Sequence, residues 1–132
     1  MRDFDKKIVV TATLLGAVTI AIGAFGAHGL KNFVPTDAVV TFETGVRYQM
    51  YHTIALLILG FATQVPAATR KWVFRLFILG IVLFSGSIYV LALKAVLPFS
   101  VSFLGPVTPL GGLLLISGWI RWCYGLLTIK SG

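Results

Sequence analysis

Six polar side chains gather around the first two apolar segments of this chain: His28, Glu43, Arg47, Tyr48, Gln49 and His52. Imidazoles titrate near neutral pH and ligate metals, and a carboxylate with a phenol beside them would extend a proton-responsive or weak metal site. No HxxxH or HxxE pair occurs, so the spacing gives no metal signature. On a helical wheel Tyr48, Gln49 and His52 share one face, while Glu43, Arg47 and Tyr51 lie nearly opposite. Three uses are open to such a group: a proton site, a ligand site, or a hydrogen-bonded clamp tying one helix end to the next helix start. Gly29, just after His28, is placed to end the first helix in a left-handed cap.

A second polar feature is Arg121, inside the last apolar segment. A charge there is a functional hypothesis by default. Its long stem can also snorkel, and Asp3 or Asp5 could reach it. With Lys71, Trp72 and Arg75 it would grip anionic lipid headgroups. No span carries Asp or Glu, which counts against a proton-coupled exporter. Neither a nucleophile–base pair nor a phosphate loop is present, so an enzyme is not expected and no cofactor is implied.

The elements that must position these groups are membrane helices. With 58% hydrophobic and 11% charged residues and a mean hydropathy of +0.95, a soluble domain is excluded. A hydrocarbon core of roughly 30 Å takes about 20 helical residues. The apolar runs then give an all-α membrane protein, a bundle of four transmembrane helices. Residues 1–132 form a single integral membrane domain with spans at about 8–28, 48–65, 72–94 and 108–128. The first run is longer than the core of a signal peptide and reads as a retained span.

Lys and Arg fall unevenly on the two sides. Arg2, Lys6, Lys7, Arg70, Lys71, Arg75, Arg121 and Lys130 share one; Lys31, Arg47 and Lys94 share the other. The positive-inside bias places both termini in the cytoplasm of a multi-pass protein of the bacterial inner membrane. Trp72, Trp119 and Trp122 fall near the cytoplasmic edge, as an aromatic belt would. The net charge of +7 sits at the ends of apolar runs with no basic stripe, so nucleic acid is not an expected partner. The lone Cys123 reads as packing material.

Thr36 after Pro35 can cap a helix beginning at Asp37, giving the second span an amphipathic helical extension in which Glu43 and Arg47 have ion-pair spacing. The stretch Leu97–Thr108 reads as interfacial, re-entrant or the start of the fourth span. Helix packing in lipid requires small residues at the seams. Ala12, Gly16, Thr19, Gly23, Gly26 and Ala27 line one face of the first helix. Gly80, Ser85, Gly86, Ser87 and Ala92 lie on more than one face of the third, and Gly111, Leu114, Ser117, Gly118 and Arg121 on one face of the fourth.

The segments GAFGAHGL, TGVRYQMYHTIALL, LFSGSIYVLAL and VTPLGG…SGW, in that order, resemble the small bacterial inner-membrane proteins of domain-of-unknown-function family 423. The eukaryotic transmembrane protein 256 group is related. The resemblance runs from about Gly16 to Trp119. It implies four spans and, as motif residues, Gly23, Gly26, His28, Gly45, Tyr48, Gln49, His52, Ser85, Gly86, Tyr89, Thr108, Pro109, Gly111 and Gly112. It implies no reaction. The leading expectation is a non-enzymatic accessory protein that packs against another membrane protein or itself as a homo-oligomer, or holds a lipid or small ligand. The alternative is a small oligomeric transporter or channel that uses His28 and His52.

Overall fold

Apolar runs of this length place every backbone N–H and C=O in a helical ladder, the arrangement lipid demands. The computed structural model describes residues 3–130; Arg2, counted above among the charges, lies outside them. Four helices follow in order: α1 (Lys6–His28), α2 (Thr36–Phe61), α3 (Ala67–Ala92) and α4 (Val107–Leu127). No strand occurs among the described residues. Three segments are long and apolar enough to cross a membrane: Lys6–His28, Ala67–Ala92 and Ser102–Leu127.

Each helix packs along its length on the next one in sequence. The α1–α2 register can be read from paired residues. Gly26 meets Phe42, Gly23 meets Val46, Gly16 meets Thr53 and Gly60 meets Val9. One partner rises as the other falls, so the pair is antiparallel and in step throughout. On α3 and α4 the same holds for Phe84 with Gly111, Gly80 with Leu115, Phe77 with Gly118 and Thr69 with Gly125. α1 and α4, first and last in the row, share no extended interface. The main core joins Ile8, Ala12, Leu56, Leu59, Val73 and Phe77; a smaller one, around Leu30, Phe42 and Ala92, closes the opposite end.

The helix ends show two departures from expectation. Gly29 has φ −91° and ψ −32°, so it is right-handed rather than a left-handed cap. The chain tightens there into a 3₁₀ turn at Leu30–Asn32, with the Gly29 N–H still donating to Phe25 O at 2.9 Å. α2 starts at Thr36 itself, with Pro35 in the capping position and no side-chain cap bond. Between α3 and α4 the chain makes two 3₁₀ turns, Lys94–Val96 and Ser102–Leu104, and buries only Val101 of residues 97–106.

At the end shared by residue 3 and residue 130, the turn between α2 and α3 is held by Arg70. Its guanidinium donates to the carbonyls of Thr63 and Val65 and lies 3.5 Å from the Asp5 carboxylate. Asp5 also accepts from the Ile8 N–H, capping α1. Asp5 is therefore engaged with Arg70, not with Arg121. Cys123 is exposed on α4, so it does not pack within this chain.

Candidate functional site

A glutamine inside an apolar bundle must find partners for its amide, because lipid offers none. Gln49 is buried on α2 and finds them on both neighbouring helices. Its Nε2 donates to Thr19 Oγ1 of α1 at 2.8 Å, and its Oε1 accepts from the Tyr89 hydroxyl of α3 at 2.6 Å. Thr19 in turn donates to Leu15 O, and Thr53 donates to Gln49 O. One turn away, the buried Ser85 hydroxyl donates to Gly45 O at 2.7 Å. Gly45 permits this approach: a Cβ there would stand 2.8 Å from the Tyr89 ring. Three helices are thus cross-linked at one level by Gln49 and its neighbours.

His52, one turn further along α2, links to the fourth helix. The Trp119 indole N–H lies 2.9 Å from His52 Nε2, and His52 Nδ1 lies 2.7 Å from Tyr48 O. An indole can only donate and a carbonyl can only accept. These partners assign the proton to Nδ1 and leave Nε2 as acceptor, the neutral tautomer with both nitrogens used. Phe77 stands edge-on to the imidazole at 5.0 Å, and Trp119 stacks on Trp122 at 5.7 Å with 9° between planes. Beside this pair a pocket of ≈ 360 Å³ opens between α2, α3 and α4, lined by Tyr48, Phe84, Gly112 and Ile116 among others.

The six polar residues of the first two segments do not form one cluster. Gln49 and His52 turn inward. Tyr48 is half exposed and packs on Phe84 at 5.0 Å, contributing only its carbonyl to His52. Glu43 and Arg47 are exposed, and no ion pair joins them among the described residues. His28 is exposed at the end of α1. His28 and His52, used together in the transporter alternative, do not lie at one depth. The α1–α2 register sets His28 beside the stretch just before Phe42, roughly 17 Å from His52 at 1.5 Å per residue. The wheel gave the faces of α2 but could not give its register.

Gly16, Gly23 and Gly26 face α2, and Gly80, Gly111 and Gly118 lie in the α3–α4 seam. Gly86 differs: a Cβ there would meet nothing within 4 Å. It makes no close helix contact within this chain. Ser117 likewise is exposed and returns its hydroxyl to Leu113 O. Gly60 and Gly125, which the sequence reading passed over, are close-approach sites against Val9 and Thr69. Trp119, read as a membrane-edge anchor, is also the donor to His52. Lys71 and Arg75 are exposed near the start of α3, with Arg75 over the Trp72 ring at 5.2 Å. Arg121 donates to Thr69 Oγ1 at 3.1 Å and lies 5.6 Å from the Tyr124 ring centre. No three His, Cys, Asp or Glu side chains meet to hold a metal among the described residues.

Residues 22–112 match the model of the family described as Protein of unknown function (DUF423). The chain belongs to this family. The match takes in the whole Gln49–Tyr89 link and His52, though not Thr19 or Trp119. Relatives cover nearly the full length. The UPF0382 membrane protein of Staphylococcus haemolyticus is 38% identical over 115 residues, 87% of this chain and 90% of its own. That of Haemophilus influenzae is 36% identical over 126 residues, 96% of this chain and 98% of its own. The UPF0382 inner membrane protein of Escherichia coli is 35% identical over 127 residues, 96% and 93% respectively. No solved structure matches the chain. Family and helices together make this a membrane protein.

Proposed function

We propose that the chain is a four-span protein of the bacterial inner membrane with both termini in the cytoplasm, acting without catalysis as an accessory subunit that packs against another membrane protein or a second copy of itself and engages lipid. α2 is the least apolar helix, yet it runs antiparallel and in step with α1 and turns Gln49 and His52 away from lipid. A helix so placed between two spanning neighbours crosses with them. Lys6, Lys7, Arg70, Lys71 and Arg75 lie at the end with the termini, which supports the cytoplasmic assignment.

One observation carries the non-enzymatic reading: the interior polar side chains spend their hydrogen bonds on one another or on backbone. Gln49, His52, Thr53, Ser85 and Tyr89 are all engaged. This is the pattern of a locked scaffold. The distance between His28 and His52 counts against a transporter in which the two titrate together. Extraction from native membrane in mild detergent tests the accessory role; recovery as a lone monomer would overturn it. Single cysteines placed at Phe33 and Thr128 in a Cys123→Ser background test the threading. A membrane-impermeant maleimide added to intact inner membranes from outside is expected to label position 33 and spare 128.

A further inference from the structure

Between α1 and α2 a lateral groove of ≈ 450 Å³ runs along the outside of the protein. Ile20, Gly23, Val46 and Met50 give it apolar walls, and Thr19 lines its inner part. Gly23 shapes it: a Cβ there would stand 3.2 Å from Val46, so the helices nearly touch at the floor. Arg47 and Glu43 supply its charges. Both are exposed, and neither has an ion-pair partner among the described residues.

Their placement is unusual for a spanning helix. The register sets Arg47 between the Thr19–Gln49 and Gly23–Val46 pairs, roughly 10 Å below the end of α1. An unpaired guanidinium at that depth, facing lipid, requires a counter-charge or water. Glu43 lies one turn nearer the membrane surface, roughly 6 Å along the axis. From the surface inward the groove therefore presents the Glu43 carboxylate, the Gly23–Val46 contact, the Arg47 guanidinium, and then Ile20 and Met50.

We propose that this groove binds a phospholipid with a primary-amine zwitterionic headgroup, of the phosphatidylethanolamine class. The ammonium meets Glu43, the phosphate meets the Arg47 fork across the Gly23–Val46 contact, and one acyl chain runs inward past Ile20 and Met50. The order of charges matches the order of groups in that lipid, whose amine lies outermost and phosphate next. A guanidinium recognises phosphate with two parallel N–H donors. A carboxylate accepts hydrogen bonds from a primary ammonium, whereas a trimethylated one has no N–H to give. The inference rests on the four-span arrangement above, because only that arrangement puts Glu43 nearer the surface than Arg47.

Native mass spectrometry of the detergent-purified protein with phosphatidylethanolamine, phosphatidylcholine and phosphatidylglycerol of identical chains tests it. The wild type is expected to retain the first roughly tenfold better than the other two, as one lost charge-assisted hydrogen bond implies. Glu43→Gln abolishes that preference and Arg47→Gln weakens all three lipids. The exchanged pair Glu43→Arg/Arg47→Glu keeps both charges and reverses their order, and loses the preference. Both positions are exposed, so unchanged thermal melting verifies the fold. Equal retention of the three lipids, or an exchanged pair that binds like the wild type, overturns the proposal. The cysteine-labelling pattern separates the two levels: positions 33 and 128 on opposite sides with no lipid preference sinks this site alone, and both positions labelled from one side sinks the four-span arrangement beneath it.

Discussion

The α3–α4 seam and the surroundings of Gln49 join helices by opposite means. The seam has little polar glue at its centre. Gly80, Gly111 and Gly118 let Leu115, Phe84 and Phe77 close over the missing side chains, so that backbones come together. Around Gln49 the contacts are hydrogen bonds, from Thr19 on one side and Tyr89 on the other. In lipid both strategies replace the hydrophobic drive that water would supply. They differ in tolerance. Close packing has no slack, whereas a hydrogen bond in a membrane is worth little more than in water, because the separated helices also find partners.

The largest effect is therefore expected in the seam. A side chain at Gly111 would run into backbone, 2.7 Å from both Leu83 C and Phe84 Cα, and backbone cannot rotate aside. Gly111→Val should destabilise the protein by about 3 kcal/mol, read by SDS titration of the refolded protein in mixed micelles. A loss below that of Gln49→Leu would break the contrast between the two regions.

Next comes Gln49→Leu. It removes the acceptor for the Tyr89 hydroxyl and the donor to Thr19, leaving a loss of about 1 kcal/mol. Tyr89→Phe in the same background should recover part of it, since removing both partners of a buried bond is nearly neutral. A double-mutant cycle measures the coupling. Additive losses would mean that the 2.6 Å bond contributes nothing of its own. Trp119→Phe follows at about 1 kcal/mol or less, because it leaves His52 Nε2 without a donor while Phe77 still covers the ring. His52→Phe added to it should cost little more.

Much of the fold is legible in the sequence because lipid allows so few solutions. The runs of apolar residues mark α1 and α4 to within a turn but start α2 and α3 too late, because both helices carry polar residues in their first turns, and the glycines of α1 reveal one face. The site was harder to read. Gln49 and His52 could be assigned to a face of α2, but their partners Thr19, Tyr89 and Trp119 lie 30, 40 and 67 residues away. No periodicity encodes the register between helices. That register is set by pairs such as Gly26 with Phe42, where a small residue accepts a large one. The family resemblance came nearer, since its motif residues include Gly45, Gln49, His52, Ser85, Tyr89 and Thr108. All six take part in bonds between helices here, Thr108 through the Ser87 hydroxyl at 2.6 Å.

Gly86 sharpens the contrast from the other side. It shares residue type with Gly111 and sits on the helix that Gly111 packs against, yet a Cβ there would meet only open space. A mid-helix glycine that no neighbour requires is a conformational liability, and Gly86→Ala should stabilise α3 by about 0.5 kcal/mol. The same titration reads it as a small shift to higher SDS. A bulkier Gly86→Leu should then be tolerated by the monomer as well. If Gly86→Leu leaves monomer stability intact but lowers the fraction of dimer in cross-linked membranes, the open face at Gly86 is where a second copy packs. If both substitutions destabilise the monomer itself, close packing extends beyond the seam, and the division between the two regions fails.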